Sequence, residues 1–537
     1  MKKTPLPCLL AVLCAASTHA ASFTWDGSEF ATSTNWSTAA NWSGGVIPDN
    51  DGTATVNFLQ SVNPGSFSSI VDTAYNINKL IIRPNDTSGT AFTFTGSTLT
   101  FSGTGAQLLM GDNYTANNTA ATTLSNNIVL AANLQTQAGN GGNAGQLRLS
   151  GNISGNFSIT MLATTGGFRL SGDNTFTGGV AFSRGTFEIG SDTAIGTGAL
   201  TVSNGTAGSS ISAIGTRIIE NDIIWGTTSS STTAFSGNLT VNGDFQLAGV
   251  INGTTLTNSR TLATSSSLNT ATVVFNGDVT QDLTGGGTSR NLNIAGGAQA
   301  ASFTFNGDAT YTGQTQITSA ATSSSRNLTV RINGDFSSSS GVRITNTGTS
   351  SSTVTLGGTG TVSGITIGDV AIDTDGKSII SPGLGASDIG TLNVEGDVIF
   401  LNNSVYNVNL AAAGSSDKLA ITGGNILFTD GINTGTNAVL SLNITGGYAN
   451  LTGNYTLATF DSIIGSYGSF AMVTLNGGTV DTLADLQSAG YSLVYGSDGI
   501  YLQSSSVPEP ASVALLFGLG TLGFVIWGKR SRPQRNA

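Results

Sequence analysis

Beyond residue 19 the chain has neither cysteine nor histidine: its two cysteines are Cys8 and Cys14, and its one histidine is His19. Without thiols there is no disulfide frame. Without imidazole or thiolate there is no ordinary zinc site, and no nucleophile activated by a histidine base. Charge is scarce too. Charged residues make up 9% of the chain, against about 25% in typical soluble domains, which leaves little material for acid–base chemistry. The balance is acidic, 30 Asp and Glu against 19 Lys and Arg. An acidic surface repels phosphate backbones, so nucleic acid is excluded as the expected partner. No residue pattern calls for a cofactor. Glycine (73) and proline (9) together stay below the roughly 25–30% that marks low-complexity disorder.

What the chain does have is a repeated phrase of alternating apolar and polar residues ending in Gly and then Asp or Asn. It reads L-R-L-S-G-N from Leu147, F-R-L-S-G-D from Phe168, L-T-V-N-G-D from Leu239 and V-V-F-N-G-D from Val273. It returns as F-T-F-N-G-D from Phe303, V-R-I-N-G-D from Val330 and L-N-V-E-G-D from Leu392. Asp244, Asp278, Asp308 and Asp335 are separated by 34, 30 and 27 residues, a spacing in the range of stacked repeats. Residues 1 and 3 of each phrase share one face of a short strand, and the residue between them points away. Glycine is expected to supply a positive φ at a tight corner, and Asp or Asn to bond nearby backbone and close it. The corners are Gly172-Asp173, Gly243-Asp244, Gly277-Asp278, Gly307-Asp308, Gly334-Asp335 and Gly396-Asp397. A strand followed by such a corner cannot bury its inner face alone. Stacked coils can, so the expected fold is all-β, a β-helix solenoid.

Trp25, Trp36 and Trp42 gather three of the five tryptophans near one end. Solenoids need terminal caps over their open strand edges, and large aromatics suit that task. The alternative is a stacking platform for sugar rings.

The two ends carry the layout of export. Lys2 and Lys3 precede an apolar run from Leu6 to Ala16 and the small residues around Ala20. This is the layout of a secretory signal peptide, with cleavage expected between Ala20 and Ala21. At the other end Pro508, Glu509 and Pro510 precede an apolar run from Ala511 to Trp527, then Lys529, Arg530, Arg532 and Arg535. About seventeen uncharged residues just suffice to cross the ~30 Å hydrocarbon core as a single helix, and the cations favour a cytoplasmic C-terminus. The order of motif, span and basic tail resembles the PEP-CTERM sorting signal of Gram-negative bacteria. That resemblance implies export machinery and an exosortase-type protease as partners. It also implies delivery to the cell surface, outer membrane or extracellular matrix, with at least transient anchoring in a membrane.

Residues 168–206 resemble the autotransporter-associated β-strand repeat. Asn174, Phe176 and Gly178 match its opening, Gly185-Thr186-Phe187 its corner, and Ile195-Gly196-Thr197-Gly198 its close. Ile380-Ser381-Pro382-Gly383 and Gly390-Thr391-Leu392 through Asp397 are similar to a phrase of autotransporter passengers, as are Ser416-Asp417-Lys418-Leu419 and Asn454-Tyr455-Thr456-Leu457. The resemblance implies a right-handed parallel β-helix exposed outside the cell. No translocating barrel of amphipathic strands follows it; the sorting signal stands in that place.

The expected organisation is a signal peptide over 1–20, capping and first coils over 21–135, and a repeat region over 136–389. Passenger-like coils follow over 390–505, then the sorting signal over 506–537, with its span at 511–527 and basic tail at 528–537. The expected function is a non-enzymatic surface or matrix protein, adhesin-like, meeting extracellular polysaccharide along a polar side wall. A glycan-active β-helix enzyme, a lyase or hydrolase, is the alternative. Its best candidate is the compact acidic pair Glu220 and Asp222, since glycoside hydrolysis works with two carboxylates. The recurrent Gly-Asp pairs also raise a calcium reading, but one carboxylate per coil is sparse beside a nonapeptide calcium repeat.

Overall fold

The computed structural model describes residues 21–504 except the segments 60–65, 84–90, 111–120, 140–144, 163–165, 204–208, 227–232, 252–253, 256–258, 265–269, 285–288, 298–299, 321–325, 349–351, 370–375, 386–387, 430–437, 445–450, 465–468 and 476–482. It falls into two compact units, one ending at Gly313 and one beginning at Gln314. Both are built almost wholly from short strands.

In the first unit three strands make one coil. Thr55–Phe58, Ser66–Val71 and Tyr75–Ile77 are followed by Lys79–Ile82, Ala91–Gly96 and Leu99–Phe101. Each strand pairs in parallel with its counterpart one coil on: Val56 faces Leu80, Phe67 faces Phe92, and Ile77 faces Phe101. Repetition gives an eleven-stranded parallel sheet on one side, from Ser22–Thr24 to Val279–Gln281. This is the pairing pattern of a parallel β-helix. Coil length varies around a fixed register. One turn takes 21 residues from Ile159 to Val180, 20 from Val180 to Leu200, and 34 from Phe245 to Val279.

Burial follows the alternation in the sequence. Leu147 and Leu149, Phe168 and Leu170, Leu239 and Val241, Val273 and Phe275, and Phe303 and Phe305 are all buried. The intervening Arg148, Arg169 and Thr304 are partly exposed. Arg169 uses that outward position to pair with Glu188 of the next coil, at 2.5 Å.

The tryptophans close the N-terminal end. Trp25, Trp36 and Trp42 are buried together with Phe58 and Phe67. Trp25 meets Trp42 edge-on at 5.1 Å and stacks on Phe58 at 5.4 Å. The indole N–H of Trp36 donates to Ser69 Oγ at 2.9 Å, and that of Trp42 to the Trp36 carbonyl at 2.7 Å. Trp36 N–H also donates to the Ile70 carbonyl, and Ser43 N–H to the Thr24 carbonyl. The segment therefore covers two strand edges of the first coil. Buried indoles cannot offer a face to a sugar ring, which sets the platform reading aside.

The long coil and the one after it hold a feature the sequence did not announce: Arg260 and Arg290 are both fully buried. Arg260 donates to the Ala248 carbonyl, and Arg290 to the carbonyls of Asp282 (3.2 Å) and Thr284 (3.4 Å). Burial first, and the neighbouring Arg290 charge second, push the Arg260 guanidinium down to about 10.

The second unit repeats the scheme. Thr315–Ser319 and Leu328–Ile332 stack in parallel on Val342–Asn346 and Thr353–Gly357. Stacking continues to Met472–Leu475. Its phrases bury Val330, Ile332, Leu392 and Val394 as the pattern requires. The far end closes differently. Gly499–Ser504 lies antiparallel to both Tyr455–Thr459 and Tyr491–Tyr495, behind the short helix Leu483–Ser488.

The corner glycines serve another purpose than the one expected. Among Gly172, Gly243, Gly277, Gly307, Gly334 and Gly396, a positive φ occurs at Gly396 alone, +125°. Gly172, Gly243, Gly277 and Gly307 are glycine because coils touch backbone to backbone. A Cβ at Gly307 would sit 2.2 Å from the Gly277 carbonyl oxygen, and one at Gly277 2.3 Å from that of Gly243. A Cβ at Gly172 would meet the Gly151 oxygen at 2.2 Å.

Candidate functional site

The corners stack into two columns of side chains. In one, the carboxylate of each aspartate accepts the backbone N–H of the aspartate one coil on. Asp244 donates to Asp222 Oδ1, Asp278 to Asp244 Oδ1 and Asp308 to Asp278 Oδ1, each at 2.9 Å. In the other, Asn242 Nδ2 donates to Glu220 (2.7 Å), Asn276 to Asn242 (2.8 Å) and Asn306 to Asn276 (2.7 Å). The glycine stack runs between them. Asp173 and Asp397 take part in shorter ladders. Asp173 N–H donates to Asn152 Oδ1 at 2.9 Å, and Asn425 N–H to Asp397 Oδ1 at 2.8 Å. Asp335 instead makes the local bond expected of such corners, accepting from Ser337 N–H at 2.9 Å.

Glu220 and Asp222 therefore head the two ladders and hold the next coil. Among the described residues no group of three or more His, Cys, Asp or Glu is placed to hold a metal ion. If the ladder bonds are what the aspartates provide, Asp278→Asn keeps the Oδ1 acceptor and removes one charge from a column stacked about 4.8 Å apart. Asp278→Asn should then unfold in urea at an unchanged or slightly higher midpoint at low salt. Asp278→Ala should lose about 1 kcal/mol, the usual net value of one hydrogen bond. An equal loss from both would rule the ladder out as the reason for these aspartates.

The most buried carboxylate lies in the second unit, inside the Ser416-Asp417-Lys418-Leu419 motif. Asp417 is fully buried. Its Oδ1 accepts Gly390 N–H at 2.9 Å, and its Oδ2 accepts Asn409 N–H at 2.9 Å and Asn409 Nδ2 at 2.8 Å. Desolvation outweighs these bonds and pushes the carboxyl up to about 6. Nearby, Tyr406 Oη donates to the Leu457 carbonyl and accepts Leu419 N–H at 3.0 Å. Burial first, then the Asp417 charge, raise that phenol well above its ordinary range. Sequence reasoning marked this motif as a final-coil signature and missed its buried acid. In the sequence Asp417 stands beside Lys418 as an ordinary surface charge pair would, so no pattern signalled it.

An outward cleft of about 270 Å³ also lies in this unit. Thr329, Thr355 and Ile379 form one row across three coils in register. Arg331, Ser381 and Asn407 border it, and Asn407 Nδ2 donates to Ser381 Oγ at 3.1 Å. Gly383 and Gly385 complete the lining. The lining offers hydroxyls, an amide and a guanidinium around one apolar side chain.

Residues 506–530 match the PEP-CTERM protein-sorting motif. The motif implies export and handling by an exosortase-type sorting system, with delivery to the cell envelope or surface. A search of curated proteins finds no match to the chain. Pro508, Glu509, Pro510, the basic tail and the apolar run 511–527 lie outside the described residues, as does Ala20 of the cleavage site. Among the described residues no helix is long and apolar enough to cross a membrane.

Proposed function

We propose that this chain is a non-catalytic structural protein of the bacterial surface or extracellular matrix, adhesin-like and sorted through its C-terminal signal. The carrying observation is a sorting motif that follows directly on a stack of parallel coils whose outer positions are mostly Thr, Ser, Asn and Gln. In this reading the coils are right-handed, the sense that parallel strand connections nearly always take. They belong with autotransporter-associated repeats and passenger-like coils, and residues 511–527 span the inner membrane before sorting. The ligand is an extracellular polysaccharide. The cleft supports that class because a sugar presents both hydroxyls and an apolar ring face, and the row Thr329, Thr355 and Ile379 offers partners for each. Stiff coils also lower the ordering cost of binding.

The test is affinity electrophoresis of the exported protein against polysaccharide from the producing cells. Thr355→Trp fills the cleft from its outer side and should weaken binding about tenfold, a loss of about 1.4 kcal/mol. Retarded migration that Thr355→Trp leaves unchanged would move the contact elsewhere. No retardation at all would leave a coat protein without a glycan partner.

A further inference from the structure

The last strand, Gly499–Ser504, ends immediately before the sorting signal. Its final residue is held from a neighbouring coil: Asn454 Oδ1 accepts Ser504 N–H at 3.0 Å and Ser504 Oγ at 3.4 Å. The strand is anchored unevenly. Ile500 and Leu502 are fully buried, whereas Gln503 and Ser504 are exposed. Peeling these two residues leaves the core intact; their pairing with Ser492 and Tyr491 opposes it, and the Asn454 bonds add to that hold.

The distance that remains is short. Six residues, Ser505 to Pro510, separate this strand from the apolar run at Ala511. At full extension they reach about 20 Å. Proteases commonly take their substrates as extended strands, so the enzyme must work in the gap between a folded cap and the membrane. Peeling Gln503 and Ser504 raises the number of residues between the paired strand and Ala511 from six to eight. We infer that Asn454 is a positioning residue for processing at the sorting signal: its bonds to Ser504 limit the chain that the sorting protease can reach. The inference rests on the reading of residues 506–530 as a processed, membrane-inserted signal.

The test follows conversion of the full-length precursor in the producing bacterium by loss of a C-terminal epitope. Asn454→Ala removes the side-chain hold on Ser504 and leaves only its strand pairing with Tyr491. A short flexible Gly-Ser insertion between Ser505 and Ser506 lengthens the reach without touching the cap. Asn454→Ala should convert about fivefold faster, the shift expected from the net loss of a hydrogen bond, and the insertion should convert faster as well. Asn454→Asp keeps the acceptor and should convert at the parental rate. A control replaces Pro508, Glu509 and Pro510 by alanine and should block conversion. Parental rates for Asn454→Ala and the insertion, with the control blocked, overturn the inference alone. Acceleration by Asn454→Ala with an inert insertion also overturns it, because loosening of the cap rather than reach would be the cause. Normal conversion in the control overturns the sorting reading, and the inference with it.

Discussion

Gly277→Ala should destabilise the first unit by about 3 kcal/mol, the upper part of the range for forcing a methyl into a packed interior. The added carbon would meet the Gly243 carbonyl oxygen at 2.3 Å and its carbonyl carbon at 2.5 Å. Both atoms are backbone, so no side chain can turn aside. Relief requires two coils to separate at the corner, which also stretches the bond from Asp278 N–H to Asp244 Oδ1. Gly105→Ala is the matched comparison. Gly105 has a φ of +71° and nothing within 4 Å of its Cβ position, so its cost is only that of a left-handed backbone, about 1–2 kcal/mol. Urea unfolding of the two variants separates the causes. A loss at Gly277→Ala no larger than that of an ordinary surface substitution, about 0.5 kcal/mol, would mean that coil contact does not select glycine at the corner.

Asp417→Ala should cost the second unit about 3–5 kcal/mol, because it strands buried backbone donors that this carboxylate satisfies. Gly390 N–H and Asn409 N–H lose their acceptor together, and Asn409 Nδ2 keeps only the Asp388 carbonyl at 3.5 Å. The substitution also changes the response to pH. The folded-state carboxyl sits at about 6, above the roughly 3.9 of an unfolded aspartate. The folded state therefore binds the proton more tightly. The resulting stabilisation is fully present below about pH 4 and is lost as pH rises through 6, on the order of 2 kcal/mol in all. Urea midpoints between pH 4 and 7 should show this fall in the parent chain and a flatter profile in Asp417→Ala. A parent profile that rises across this window would show that the three hydrogen bonds outweigh desolvation.

The strand phrases were legible because alternation and burial are the same fact seen twice. Val273 and Phe275 had to share a face, and that face had to be covered. The corner positions were legible too, but not their physics. Glycine permits both a positive φ and a close approach, and a repeated Gly-Asp does not say which is in use. Nor does it say that Asp244 serves Asp278 rather than its own turn. The aromatic cap could be read from Trp25, Trp36 and Trp42 because bulk at a solenoid end has few other uses.

Arg260, Arg290 and Asp417 could not be read. A buried charge is decided by which carbonyls and amides other coils bring to it, and those partners lie up to 27 residues away in sequence. The cleft was equally hidden. Thr329, Thr355 and Ile379 belong to three coils and become neighbours only through register.

Spacings of 22, 34 and 30 residues meet the same ladder from Asp222 to Asp308, and each inner corner of it both offers and receives the same bond. A duplicated turn would consequently find its attachments ready on either side. A lineage could lengthen or shorten such a protein by whole turns, leaving both end closures and the sorting signal in place, so that reach from the cell evolves separately from export.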